Sequence, residues 1–224
     1  MIHETEPEPT PTESPVKKRA TRRRKSLNAR TAVLVRWLHI YASMFGLAAT
    51  LFFSVTGITL NHPDWFFGTS ESVFSIDGHL GNELLTDLRD PESTTAQLAV
   101  AEKLRSAHKL SGAVHEFAID EYQSVIAFAG PAYSADVFID METGVYELTE
   151  VRQGFTALIN DLHKGRDSGP VWSLIIDVSA VLITLIAATG LLLILWLRRK
   201  RLKGLITAGV GVIALIAIYF AAVP

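Results

Sequence analysis

The chain has 224 residues, of which 49% are hydrophobic, and its formal net charge is −2. It contains no cysteine, which excludes disulfides, thiolate-bound metals and iron–sulfur clusters, so any bound metal depends on histidine or carboxylate ligands. The small net charge conceals a strong separation of charge along the chain, because residues 62–170 alone carry seven Lys/Arg against eighteen Asp/Glu.

Three uncharged apolar runs divide the chain, at residues 40–60, 178–197 and 205–223. Each is close to the roughly 20 residues that cross a hydrocarbon core as a helix. The flanking basic residues are clustered, with eight Lys/Arg in residues 1–30 and five in residues 198–203. The positive-inside rule places both clusters in the cytoplasm, which predicts a cytoplasmic N-terminus, an outer C-terminus and an acidic outer domain. The first run is longer than a signal-peptide core of about 7–15 residues and is predicted to remain as an anchor.

The predicted organisation is a multi-pass membrane protein with one outer domain. Its segments are a disordered basic cytoplasmic tail (1–30), a first transmembrane helix (31–61), the outer domain (62–170), a second transmembrane helix (171–197), a basic cytoplasmic loop (198–204) and a third transmembrane helix (205–224). The basic tail is interpreted as a topology signal attracted to anionic lipids, with the lipid bilayer as its partner and no nucleic acid.

The outer domain combines helical and strand-like patterns. After a predicted loop at residues 65–77, apolar residues recur at helical spacing over residues 93–110, with Ser93, Thr94 or Thr95 as an N-cap and Gly112 just past the end. Four short strands are predicted next, at residues 114–119, 124–129, 135–140 and 145–148, followed by a helix near residues 154–162. A helix packed on an antiparallel meander, an α+β fold, accounts for this order.

Three motifs resemble those of PepSY proteins with associated transmembrane helices. The segment VFIDMETGVY, residues 137–146, resembles the strand, Asp, turn, Gly, strand pattern of PepSY domains. The segment RWLH, residues 36–39, is similar to the Arg/His opening of the family's first helix. The segment DLHKG, residues 161–165, followed by Thr189-Gly190, resembles the family's Leu-His and Thr-Gly signatures. The resemblance covers residues 30–198.

The resemblance implies a small, single-PepSY protein of the bacterial cytoplasmic (inner) membrane, with a PepSY-like periplasmic domain. Larger members that it distantly resembles are iron-regulated membrane reductases, which hold b-type haem between helix histidines and reduce ferric siderophores. By this resemblance the chain binds haem and assists transmembrane electron transfer to periplasmic iron or metal complexes. The sequence shows no flavin or nicotinamide fingerprint, so an electron donor lies outside this chain.

Four residues are candidate cofactor or metal residues. His62 and His163 lie at the outer ends of the first two predicted spans and are expected to face each other across a haem iron or another metal. The alternative is that both are interfacial residues capping helix ends. His39 lies near the cytoplasmic end and needs a ligand from another subunit, or is an interface anchor. Asp177 is expected to hydrogen-bond a histidine ring, or to be an interfacial acid at a helix start.

Two rival functions remain open from the residues. One is a cofactor-free, membrane-anchored regulatory or binding module whose acidic domain docks onto a partner. The other is an accessory subunit of a larger membrane complex, or a homo-oligomer, suggested by glycines of the third span at Gly204, Gly209 and Gly211. No hydrolase motif is present, and the residues identify neither a catalytic set nor a substrate.

Overall fold

A computed structural model of the chain describes residues 27–65, 70–90, 93–197 and 199–223. Most of the predicted basic tail lies outside the described residues, as does Arg198 of the predicted basic loop. In chain order the elements are α1 (Leu27–Phe45), α2 (Leu47–Asn61), β1 (Glu71–His79), α3 (Asn82–Leu88), α4 (Thr94–His108), β2 (Ala113–Ile119), β3 (Gln123–Gly130), β4 (Tyr133–Asp140), β5 (Val145–Gln153), α5 (Phe155–Lys164), α6 (Gly169–Trp196) and α7 (Arg201–Ala222).

The second and third apolar runs each form a single helix of membrane-spanning length, whereas the first is divided between α1 and α2. Within the described part of the chain, α6 and α7 are each long and apolar enough to cross a membrane, and α1 and α2 pass the same criterion only when taken together. The chain is therefore a membrane protein with two such helices, or three if the bent pair α1–α2 crosses as one span.

The bend between α1 and α2 measures 57° and lies at Gly46. Gly46 is buried, and a Cβ placed on it would lie 2.9 Å from Ile186 Cδ1 and 3.0 Å from Leu182 Cδ2 of α6. The missing side chain thus allows α6 to pack directly against the bend. This contact positions α1 relative to α6, on which the candidate site depends.

The domain between α2 and α5, which keeps its predicted name of outer domain below, is a five-stranded antiparallel sheet covered on one face by α3 and α4. The strand order is β1-β5-β4-β3-β2, so consecutive strands β2 to β5 form a meander and β1 joins at the β5 edge. The core lies between the sheet and the two helices. Its most deeply buried side chains include Leu88, Val100, Leu104, Ile126, Phe128, Val137, Ile139 and Leu148.

Helix α4 begins and ends as local chemistry dictates. The Ser93 hydroxyl accepts a hydrogen bond from the Ala96 backbone N–H, which confirms Ser93 among the predicted N-cap candidates. The helix ends at Lys109, which adopts the left-handed conformation (φ 55°), so the chain turns three residues before the predicted Gly112.

The turn between β4 and β5 contains the pattern that resembles PepSY domains. The Asp140 carboxylate accepts backbone N–H bonds from Thr143 (2.7 Å) and Glu142 (2.9 Å). These bonds, with that of Thr143 foremost, hold the pKa of Asp140 below its ordinary value. Gly144 takes φ 73°, where a Cβ would be strained and would lie 3.1 Å from the Leu80 carbonyl oxygen. Local sequence therefore closes this hairpin.

Two elements of the outer domain differ from the prediction. Residues 71–79, placed mostly in a predicted loop, form the edge strand β1, and residues 82–88 form the short helix α3. The prediction of four strands was wrong because β1 exposes apolar side chains on both faces, without the one-sided alternation that marks a half-buried strand. The backbone of β1 is held in the strand conformation by its pairing with β5 instead.

Helix α7 contacts α6 near its start. A Cβ on Gly204 would lie 2.8 Å from Ile194 Cδ1, so this glycine allows the two helices to approach. For Gly209 and Gly211, no atom of the described residues lies within 4 Å of the position that a Cβ would occupy, and both glycines face open space.

Candidate functional site

His39 of α1 is held by α6 near the Thr189-Gly190 pair. Its Nδ1 lies 2.9 Å from the Thr189 hydroxyl oxygen and 3.1 Å from the Ile186 carbonyl oxygen. Thr189 is 3% exposed, so the contact is enclosed by the two helices. The sequence motifs that contain His39 and Thr189 therefore meet directly in the fold.

The hydrogen bonds define the tautomer of a neutral His39 ring. A carbonyl oxygen only accepts, so the bond to Ile186 requires the proton on Nδ1. The Thr189 hydroxyl donates to the Leu185 carbonyl oxygen (2.7 Å), which leaves its oxygen free to accept from Nδ1. The lone pair of the ring is then on Nε2, for which the described residues provide no hydrogen-bond partner.

Gly190 makes room for the His39 ring. A Cβ on Gly190 would lie 3.2 Å from His39 Cε1, closer than most side-chain contacts. Threonine thus supplies the acceptor and the next residue supplies the space, which is a physical reason for a Thr-Gly pair at this position.

A second histidine–threonine pair joins α5 to α2. His163 Nδ1 lies 2.5 Å from the Thr56 hydroxyl oxygen, and Thr56 in turn donates to the Phe52 carbonyl oxygen at 2.6 Å. One turn further along α2, the Thr59 hydroxyl donates to the Asn160 side-chain oxygen at 2.7 Å. The order of these contacts shows that the two helices run antiparallel at this interface. Thr56 is 2% exposed.

The two pairs have the same local chemistry. In each, a threonine hydroxyl bonds the carbonyl four residues earlier in its own helix and accepts from a histidine on another helix. His163 therefore also presents Nε2 as its unprotonated nitrogen when the ring is neutral. Each pair is a fixed imidazole with one nitrogen anchored and the other unused by the described residues.

Aromatic contacts enclose the second pair. Phe53 of α2 packs edge-on to the His163 ring at 5.1 Å between centroids. Trp172 of α6 donates its indole N–H to the Leu162 carbonyl oxygen at 2.8 Å and packs against Phe52. Helices α2, α5 and α6 are thus joined around His163. Burial, and secondarily Lys164, hold the pKa of His163 below its ordinary value, which favours the neutral ring.

Acidification is expected to destabilise the contact between α2 and α5. Because the folded pKa of His163 lies below the ordinary value of 6.5, the unfolded chain binds more protons as the pH falls through that value. The free energy of unfolding is highest above the ordinary pKa and falls as the pH drops below it. Below the pKa of His163 in the folded protein it no longer changes through this group. Thermal unfolding of the full chain in detergent from about pH 5 to 8 measures this slope. His163→Asn, which does not titrate, is expected to flatten it, and an unchanged slope would contradict the assignment.

His62 and Asp177 lie apart from these pairs. The His62 ring stacks on Trp65 at 3.9 Å, and its Nε2 lies 3.3 Å from the Asn61 side-chain nitrogen. His62, just past the end of α2, follows Thr56 by six residues, about 9 Å of helical rise, so His163 contacts α2 about 9 Å before His62. Asp177 is exposed on α6, and among the described residues it forms neither a hydrogen bond nor an ion pair with a histidine ring. The structure thus pairs His163 with Thr56 and His62 with Trp65.

The donor set restricts the kind of cofactor. Within the described residues, no group of three or more His, Asp or Glu side chains is assembled that could hold a metal ion. A haem iron, in contrast, takes only axial ligands from the protein, and a single imidazole nitrogen is sufficient for one of them. The two threonines were not among the residues singled out as partners, although the Thr-Gly signature pointed to one of them.

One of three comparisons with known proteins found a match. A family model described as PepSY_TM-like matches residues 32–224, a range that contains both histidine–threonine pairs and the whole outer domain. Neither the search of curated proteins nor the search of solved structures found a match. Because the family match spans most of the chain, the protein belongs to the PepSY_TM-like family of membrane proteins.

Proposed function

We propose that this chain is a haem-binding protein of the bacterial inner membrane that assists electron transfer to periplasmic iron or metal complexes. The observation that carries the proposal is the repeated geometry of His39–Thr189 and His163–Thr56, each of which anchors Nδ1 and leaves Nε2 for a ligand. Metal-binding histidines characteristically donate their second ring N–H to a fixed acceptor, which orients the ring and raises its basicity.

The proposed topology has three spans, with α1 and α2 crossing together. The basic residues before α1 and between α6 and α7 then face the cytoplasm, and the outer domain, seven basic against eighteen acidic residues over 62–170, faces the periplasm. In this orientation His39 lies toward the cytoplasmic side and His163 toward the periplasmic side. The 17 residues from His39 to Thr56 correspond to about 25 Å of rise along α1 and α2, and the 57° bend at Gly46 makes the direct distance somewhat shorter.

Two haem sites at two depths follow from this separation. Nitrogens that share one metal lie about 4 Å apart, since each metal–nitrogen bond is about 2 Å, so His39 and His163 serve different sites. His39 would hold one haem and His163 the other, each through its Nε2 nitrogen. Bound haem would supply one-electron transfer; the chain itself fixes the two imidazoles and excludes water from their anchored nitrogens.

The absorption spectrum of the purified protein tests the proposal directly. The full chain, expressed with haem available and purified in detergent, is expected to show a Soret band and to yield haem in a pyridine extract. Titration with dithionite is expected to reduce that haem, as electron transfer requires. A protein that is folded by size-exclusion chromatography but has neither the band nor extractable haem would overturn the proposal in favour of a cofactor-free binding module.

A further inference from the structure

Strand β1 is an edge strand that lacks several of the features by which proteins usually protect such edges, although it carries Glu71 and Asp77. It pairs with β5 along all nine residues and, in the described part of the chain, with no strand on its other side. It contains no proline, lysine or bulge. Phe74 and Ile76 lie on the same face as buried Leu148, yet they are 52% and 40% exposed. This edge extends the core face of the sheet beyond the cover of the helices.

The opposite edge of the sheet is different. Strand β2 carries a register shift between Val114 and Glu116, and His115 and Glu116 are exposed there. A bulge is a common device against edge-to-edge pairing, and it is the feature by which β2 differs from β1, since both strands carry acidic side chains. One sheet therefore has a protected edge at β2 and an open one at β1, where a shallow groove of about 480 Å³ lies beside the Glu150–Arg152 ion pair.

We propose that β1 pairs antiparallel with β1 of a second copy of this chain, with Ser75 on the two-fold axis. In this register Phe74 of each strand faces Ile76 of the other. The two equivalent pairs place exposed apolar side chains against one another on the core face. Glu71 of each strand likewise faces His79 of the other, so a carboxylate lies opposite an imidazole at both ends of the paired strands. A register centred on Phe74 would instead bring Glu71 opposite Asp77, which like charge disfavours.

Anchoring in the membrane favours a second copy of the chain, rather than a free peptide, as the partner of β1. All copies are anchored by apolar helices in the same bilayer, which holds their outer domains at one height and raises their effective concentration. A two-fold pair of identical strands is an isologous interface, the commonest form of homodimer. The pairing needs no cofactor, so it holds or fails separately from haem binding.

Cysteine crosslinking tests both the interface and its register, because the chain has no native cysteine. Ser75→Cys is expected to form a disulfide-linked dimer in native membranes under mild oxidation, since residues directly opposite in a pair have Cα atoms about 4.5–5.5 Å apart. Val73→Cys is the register control: its two copies would be offset by four residues, about 13 Å, beyond disulfide reach. Glu116→Cys, on the protected edge, is the surface control.

The expected result is at least a tenfold higher dimer fraction for Ser75→Cys than for either control. Equal crosslinking of all three would indicate random collision and overturn the interface, and preferential crosslinking of Val73→Cys would overturn the register. Absence of crosslinking in a folded Ser75→Cys protein would also overturn the proposal and leave the edge to another partner. As an independent measurement, His79→Glu is expected to reduce the dimer fraction in detergent several-fold, and adding Glu71→Lys is expected to restore it.

Discussion

Replacing His39 and His163 together with alanine is expected to abolish haem binding, whereas either single replacement is expected to leave about half of the haem. The reason is that the rings lie at different depths, and each is anchored independently by a threonine of another helix. Each single variant therefore loses one site and retains the other. Haem per chain, from pyridine extracts of purified protein, measures the effect.

The threonines provide a more sensitive test of the same geometry. Thr189→Val and Thr56→Val keep both histidines but remove the acceptor for Nδ1, and outer-shell losses of this kind typically reduce affinity about 10–100-fold. The corresponding Thr→Ser variants retain a hydroxyl and are expected to restore binding. If the histidine–threonine pairs only stabilise the fold, the valine variants would lower the stability of the protein without changing its haem spectrum.

Matched histidine variants are the controls for this prediction. His108→Ala lies at the end of α4 in the outer domain, where the ring bonds the Tyr146 hydroxyl (2.7 Å) and neither threonine, and is expected to keep the full haem content. His62→Ala tests the sequence-based prediction that His62 is a ligand, and the fold predicts little loss, since His62 stacks on Trp65 instead. Full haem content in the His39/His163 double variant would place the ligands elsewhere and contradict the assignment.

Replacing Phe128 with alanine is expected to destabilise the outer domain by about 3–5 kcal/mol. Phe128 is 0% exposed in the core between the sheet and its helices, and its ring also lies 5.3 Å beneath the Arg105 guanidinium. Removal of the ring loses its transfer free energy and leaves a cavity that the surrounding structure fills only in part. The amides of β3 and β4 are then expected to exchange hydrogen at least a hundredfold faster, because each 1.4 kcal/mol corresponds to a factor of ten.

Phe138→Ala is the matched control for this core variant. Phe138 lies on the neighbouring strand β4 but on the opposite face of the sheet, where it is 40% exposed. The same atoms are removed, yet less area returns to water and no enclosed cavity forms, so the cost is expected to be about 1 kcal/mol. Similar exchange rates in the two variants would contradict the placement of the core.

Several features were predictable because their causes are local. Ser93 and the helix after it follow from N-cap chemistry and the spacing of apolar residues. The turn from Asp140 to Gly144 follows from a carboxylate that accepts nearby N–H groups and from a glycine in the left-handed conformation. In both cases the interacting groups lie within a few residues of one another.

The edge strand β1 was not predictable in the same way. Two of its apolar residues are consecutive, so Val73 lies on one face and Phe74 and Ile76 on the other, and all three are exposed. A pattern of this kind does not separate a buried face from a solvated one, and the strand exists because β5 is available to pair with it. The glycine Gly46 likewise marks a bend only because α6 packs there.

Hydropathy and charge alone were sufficient for α6, α7 and the acidic domain, because transfer to lipid and the asymmetry of basic residues are properties of composition. They did not indicate the bend that divides the first predicted helix into α1 and α2. The motifs alone pointed to the PepSY_TM-like family, which the family match confirmed. Only the tertiary structure paired His39 with Thr189, 150 residues away, and His163 with Thr56, 107 residues away. Such bonds depend on how each helix is rotated and packed against the next, and that is decided by contacts distant in the chain.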